Sequence, residues 1–400
     1  MKASLEVESL VHGGEALARH DGRVVFLRGA APGDVVEAEL TGEGRFEHAR
    51  VLRVLKSGAA RVDPPCPIVD RCGGCPLQQV SQAAQLEAKE ELTADALERI
   101  GGFARGSYRL APIVPSPAQF RYRRRARLHR ASGGRWGFAQ AGAPFVEPVE
   151  ACLLFEPLLE EIAGAARGVA SATDLGLLAG QRRGAVDLRG PASRRQVEKL
   201  LQHRLIRGVT FNGEVLGDPV VVDPPLANGA RLRLRPDTFA QANRAAVPLL
   251  QTEVLAALGG AERVLELFCG SGTLTLPLLG GRSVTAVESA GPSLSLLRRS
   301  ADEAGLDVHL IEGDAAAVAR AHRGPLDAAL LDPPRTGAAA AVVALAALKP
   351  GRIVYVSCDA PTLARDGKLL AGAGYRLLEA TPIDLFPQTA HFEIVAIFNR

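Results

Sequence analysis

The chain has 400 residues, 47% of them hydrophobic, and a formal net charge of +3, enough apolar material for two or three separate cores. No run of eighteen apolar residues occurs and Met1 to Glu8 is charged, which argues against a membrane helix or signal peptide and leads us to expect a cytoplasmic protein. Only six of the 47 Lys and Arg residues are lysines; an arginine bias suits phosphates and bases, although a GC-rich genome leaves the same imprint.

Residues 1 to about 62 alternate as strands do, at Leu5-Glu6-Val7-Glu8, Arg23 to Leu27 and Asp34 to Leu40. Gly13-Gly14, Asp21-Gly22 and Pro32-Gly33 punctuate them, so a small OB-like β-barrel is predicted. A Pro- and Cys-bearing stretch follows. Cys66, Cys72 and Cys75 lie among bend-forming prolines and glycines, a spacing that suits metal or cluster ligation. Cys152 is the available fourth thiolate, because Cys269 and Cys358 fall in the C-terminal region. A [4Fe-4S] cluster ranks first, zinc second and disulfides third.

A helix is predicted from Ser81, its N-cap, to Ile100, stopped by Gly101-Gly102. It opens a mixed α+β central domain over 63–237, whose residues 103–235 carry no clear period. Within it, Arg121 to Arg130 packs seven cationic groups around Tyr122. Nucleic-acid phosphate is the expected partner, with a solvated strand as the alternative.

From residue 238 onward apolar runs alternate with helical segments: 264–268, 284–287, 308–311, 328–331 and 353–356. This predicts a Rossmann-like α/β domain over 238–400 with a parallel sheet, within a multi-domain chain. The first run enters Cys269-Gly270-Ser271-Gly272-Thr273, a turn that lets a cofactor approach backbone. The third glycine of the dinucleotide fingerprint is missing. Glu288 ends the next strand, where it can hold ribose hydroxyls, and Asp314 ends the third, near an adenine edge, so S-adenosylmethionine fits better than NAD. Cys358 closes another apolar run and is a nucleophile candidate, with Asp332 upstream and Glu393 downstream.

These residues together resemble the RNA (uracil-5-)-methyltransferases, specifically the bacterial 23S rRNA branch with an N-terminal TRAM domain and an iron–sulfur cluster. The resemblance rests on the cysteine spacing, Phe239-Ala240-Gln241-Ala242-Asn243, the glycine loop with Leu267 and Phe268, Asp332-Pro333-Pro334-Arg335, Ser357-Cys358, and Phe386 to Glu393. It implies cofactor contacts at Gln241, Phe268, Gly270, Gly272, Thr273, Glu288, Asp314 and Asp332. It also implies a nucleophile at Cys358, a base at Glu393, and cluster ligands at Cys66, Cys72, Cys75 and Cys152. The substrate implied is RNA, a 23S rRNA uridine first and a tRNA uridine second, handled by a monomer. In one departure from the family's Cys-Asn-Pro, this chain reads Cys358-Asp359-Ala360-Pro361.

The implied chemistry is coherent. Uracil C5 becomes nucleophilic only after a thiolate adds to C6, and C5 must then lose its proton to a base before the thiol can leave. Asp332 can hydrogen-bond the pyrimidine edge, and Gln241 can orient base or cofactor. Each residue has a plainer alternative: a buried small hydrophobe for Cys358, a surface strand acid for Glu393, a strand-end cap for Asp332. A cytosine-5 enzyme needs a cysteine, and an adenine N6 enzyme an aromatic, where this chain has Arg335. The barrel and the basic run are expected to select RNA without touching thiol, base or methyl donor.

Overall fold

The computed structural model describes residues 1–41, 46–140, 143–169 and 171–400. Five strands, Lys2–Leu10, Ala16–His20, Arg23–Arg28, Val35–Thr41 and Glu47–Lys56, close into a barrel. Alternate residues Leu5, Val7, Ala16, Ala18, Val25, Leu27, Val36 and Ala38 fill it, as period-2 patterning requires. Asp21 and Gly22, both at positive φ, make the turn between the second and third strands.

The predicted helix spans Gln82–Arg99, with Ser81 Oγ accepting from the Ala84 N–H. It packs on the helix Ala360–Gly372 and the strand Arg376–Ile383 of the C-terminal layer. Its Lys89 is buried against Asp384, Nζ to Oδ1 2.7 Å, with both side chains 1% exposed. Truncating one partner of such a pair typically costs about 3–5 kcal/mol, because a buried charge is left uncompensated.

The region without a clear period forms a seven-stranded sheet ordered Glu214–Gly217, Ile206–Phe211, Gly184–Arg189, Asp174–Ala179, Arg125–Arg130, Trp136–Ala139 and Val146–Pro148. Here the expectation for the basic run is corrected. Arg124 is fully buried and clamps Asp223 with 2.7 and 2.6 Å hydrogen bonds. Arg125 donates to the Thr238 carbonyl, Arg127 pairs with Asp187, and His129 faces Asp174 at 2.9 Å. Only Arg121 and Arg130 are exposed. Residues 125–130 form a strand inside the sheet, so three of the seven cations, Arg124, Arg127 and His129, meet carboxylates of other strands.

The C-terminal sheet has eight strands: His309–Glu312, Ser283–Glu288, Arg263–Leu267, Ala328–Leu331, Arg352–Ser357, Glu393–Asn399, Arg376–Ile383 and Arg109–Leu110. The first five are parallel and Glu393–Asn399 inserts antiparallel. Apolar clusters cover both faces, which is why the parallel strands read as unbroken apolar runs. The antiparallel insertion was not predicted. It brings the residue that opens the last strand to the same sheet edge as the carboxyl ends of the parallel strands.

Candidate active site

In a parallel sheet, ligands meet the carboxyl ends of the strands, and the chemistry gathers there. Ser357 pairs with Ile394 in an antiparallel register, so the next residues, Cys358 and Glu393, face each other. Asp332 follows the neighbouring strand, with its N–H directed to the Leu267 carbonyl. Glu393 is buried, which overturns the surface-acid alternative, and its Oε2 has no hydrogen-bond partner. Burial and the nearby Asp332 charge push the Glu393 carboxyl well above the usual range, with Arg335 opposing. Burial lifts Asp332 to about 7. The Cys358 thiol is pushed up to about 11 by burial and by Glu393, again against Arg335. Arg335 is therefore a cation that acts on both the Cys358 thiol and the Glu393 carboxyl. Its guanidinium also reaches His391 Nε2 at 3.1 Å. Burial and Arg335 hold that imidazole down to about 4, so it is neutral at pH 7 and accepts through Nε2.

The segment leading to Glu393 is anchored by residues far from it in sequence. Gln85 and Gln388 exchange hydrogen bonds of 3.0 and 3.1 Å, and the Tyr122 hydroxyl donates to the Pro387 carbonyl. Asn243 donates to the Leu385 carbonyl at 3.0 Å. Gln388 itself sits at φ +69°, a conformation that a non-glycine residue keeps only when its surroundings enforce it. The helix 82–99 and the 239–243 segment thus determine where the buried carboxyl lies.

The glycine loop has Phe268, Gly270 and Gly272 all at positive φ. A Cβ on Gly270 would enter open space, whereas one on Gly272 would collide with Leu297. The first glycine leaves the approach clear and the second lets the loop pack. Glu288 Oε2 accepts from the Gly270 N–H at 3.0 Å, and Oε1 accepts from Ser289 and Ala290. Asp314 caps the helix Ala315–Ala321 through the Ala317 N–H. Thr273 follows the loop, its carbonyl accepting from Gln251, while Gln241 is buried with its own carbonyl accepting from Arg124. The loop also carries the buried, unpartnered hydroxyl of Ser271. A donor without a partner beside an open glycine turn fits a polar cofactor such as S-adenosylmethionine.

One site residue was missed. Glu266, on the central strand Arg263–Leu267, is buried with Oε2 unpartnered, and burial raises it to about 8. The available signal was an acid inside an otherwise apolar strand. Its ordinary value is 4.5, so between pH 4.5 and 8 the folded state keeps a proton that the unfolded chain has released. Unfolding releases that proton and stability falls as pH rises through this window. Glu266→Gln should therefore melt higher than wild type at pH 8 and lose this advantage at pH 4.5; equal melting shifts at both pH values would refute the assignment.

The departure after Cys358 is absorbed locally. Asp359 is the N-cap of the helix Ala360–Gly372, accepting from the Thr362 N–H, and Pro361 sits in the first turn, where a missing N–H costs nothing. The turn between the first two barrel strands reaches the residue that follows Cys358, with His12 Nε2 3.1 Å from Asp359 Oδ1.

The four cysteines of the central region line one small cavity walled by Ile68, Val69, Phe138, Val149, Leu153 and Leu154. All six cysteines of the chain are free thiols. Among the described residues no three His, Cys, Asp or Glu side chains are grouped to hold a metal ion. Burial pushes Cys75 up to about 12 and Cys152 to about 11, so as free thiols both stay protonated at neutral pH.

A family profile described as tRNA (Uracil-5-)-methyltransferase matches residues 227–400, and the TRAM domain profile matches residues 4–42. A protein of Alkalilimnicola ehrlichii named 23S rRNA (uracil(1939)-C(5))-methyltransferase RlmD is 35% identical, the match covering 99% of this chain and 96% of that one. The chain belongs to the RNA uracil-5 methyltransferase family. A Pseudomonas putida protein of the same name is also 35% identical, over 100% of this chain and 94% of its own. The crystal structure of a Pyrococcus abyssi tRNA (uracil-54, C5)-methyltransferase in complex with S-adenosyl-L-homocysteine superposes with a TM-score of 0.78 at 22% identity. It covers 98% of this chain and 99% of that one, a likeness of fold. As a member of this family the chain is an RNA uracil-5 methyltransferase, built as a multi-domain enzyme with a TRAM barrel. No helix among the described residues is long and apolar enough to cross a membrane.

Proposed function

We propose that this enzyme transfers a methyl group from S-adenosylmethionine to C5 of a uridine in 23S rRNA through a covalent bond between Cys358 and C6. The observation that carries the reading is the register that sets Cys358 opposite the buried Glu393. Gly270, Gly272, Glu288 and Asp314 would hold the donor, with Gln241, Phe268, Thr273 and Asp332 completing its surroundings. Bound there, the sulfonium supplies an electrophilic methyl group. Having lost its proton to solvent, Cys358 adds as the thiolate to C6 of the flipped base, and the electron pair moves through C5 toward O4. Arg335 favours the charged form of that thiol and of Glu393. After C5 has taken the methyl group, Glu393 removes its proton. The electron pair re-forms the C5–C6 double bond and expels Cys358.

The profile named for tRNA enzymes favours a tRNA uridine as the second reading. Mapping 5-methyluridine in RNA from cells with and without the gene separates the two. Loss of one 23S rRNA site, with tRNA unchanged, is expected; loss confined to tRNA would overturn the rRNA assignment.

We read Cys66, Cys72, Cys75 and Cys152 as the ligands of a [4Fe-4S] cluster. Four thiols on one apolar cavity support this reading, and iron would supply positive charge that favours thiolates there, offsetting the burial that raises Cys72, Cys75 and Cys152. Protein purified without oxygen is expected to be brown with about four irons per chain, and Cys75→Ser to be colourless and less stable. A colourless wild type with one bound zinc would refute the cluster.

A further inference from the structure

The barrel touches the active site through one turn, residues 11–15. That turn is closed by hydrogen bonds from the Val11 N–H to the Glu15 carbonyl, 2.8 Å, and from the Gly14 N–H to the Val11 carbonyl, 3.0 Å. Gly14 lies at φ +84°, so close to its neighbours that a Cβ would stand 2.8 Å from Pro76 Cγ and 3.1 Å from Ala390 Cβ. The turn is thus wedged between the cysteine loop and the segment that leads to Glu393. From it His12 directs Nε2 to Asp359 Oδ1 at 3.1 Å. Asp359 directly follows Cys358. Its Oδ2 caps the helix through the Thr362 N–H at 3.0 Å, and its own N–H donates to Ser357 Oγ at 3.2 Å. The Ser357 hydroxyl and the Leu363 N–H also donate to its carbonyl, each at 3.0 Å; these tethers are local, and the one to His12 comes from the other end of the chain.

We propose that His12 is a positioning residue for Cys358: by holding Asp359 from the barrel side, it fixes the loop that aims the thiol. The TRAM barrel is then a structural part of the active site as well as an RNA-binding module. The inference rests on the reading of Cys358 as nucleophile. Half of the His12 side chain is exposed, and an exposed pair contributes little to folding stability, so the contact matters for geometry. Without it, Asp359 keeps its cap, but the loop that carries Cys358 loses its tether to the barrel and the thiol is aimed less tightly.

The test uses full-length protein and an unmodified 23S rRNA transcript. His12→Ala should slow single-turnover methyl transfer on the order of tenfold, leave transcript affinity within about twofold, and keep the salt dependence of binding unchanged. His12→Gln, which restores an N–H donor, should recover most of the rate. Asp359→Ser preserves a helix cap but removes the His12 acceptor; it should show the same loss, and the double variant should lose no more. An unchanged rate, additive losses, or weaker binding with a shallower salt slope, as for a phosphate contact, would each overturn the proposal. Alkylation of Cys358 by iodoacetamide, followed by peptide mass, needs no RNA and is expected to change in His12→Ala. If wild type fails to methylate while this alkylation still responds to His12, the functional reading fails and the positioning stands. If wild type methylates and alkylation ignores His12, the positioning fails.

Discussion

Cys358→Ala is expected to lower methyl transfer by roughly 10⁴-fold or more, while S-adenosylmethionine affinity, measured by calorimetry, stays within about twofold of wild type. The thiol sits at the end of the strand Arg352–Ser357, two strands from the one that feeds the glycine loop, so its removal deletes the bond to C6 and leaves the donor's surroundings intact. Burial and the neighbouring carboxyls hold the thiol near 11, and in the free protein it is almost wholly protonated at pH 7. Its alkylation should accordingly accelerate as pH rises toward that value. A Cys358→Ala protein that still turns over would end the covalent mechanism.

Glu393→Gln should separate the two halves of the reaction. Glutamine copies the shape of the protonated acid that burial favours, so the fold and the attack on C6 are retained. It cannot accept the C5 proton. Release of methylated RNA should slow by roughly 10²- to 10⁴-fold, and a denaturing gel should show RNA held to protein through Cys358. Normal release without that slow band would move the base elsewhere. The sign of the pH effect follows from the raised value. Glu393 must be ionised to take a proton, and it shares its surroundings with Asp332, lifted to about 7. The two titrate as a pair. Turnover by the wild type should therefore fall with decreasing pH while an ordinary carboxylate is still ionised.

Several of these features follow from short stretches of sequence. Alternation in residues 5–8, 23–27 and 34–40 announces barrel strands, and Ser81 with Gly101-Gly102 brackets a helix, because caps and pleats act over a few residues. Gly270 and Gly272 mark a turn that needs positive φ, and Cys358 at the end of an apolar run marks the catalytic edge of a parallel sheet. The resemblance supplied roles for residues that local pattern leaves ambiguous, such as Glu393.

Other features depended on which distant residues the fold brings together. Arg121 to Arg130 read as a phosphate-binding run because its carboxylate partners, Asp174, Asp187 and Asp223, lie on other strands. The antiparallel insertion of Glu393–Asn399 beside Arg352–Ser357 decided that Glu393 would be buried opposite Cys358. The Lys89–Asp384 pair and the His12–Asp359 contact join segments far apart in the chain. By itself, the sequence determined the local geometry and the kinds of chemical group available. Tertiary structure decided which charges lost their water and which partner replaced it, since desolvation and Coulomb energy depend on distance in space and not on separation along the chain.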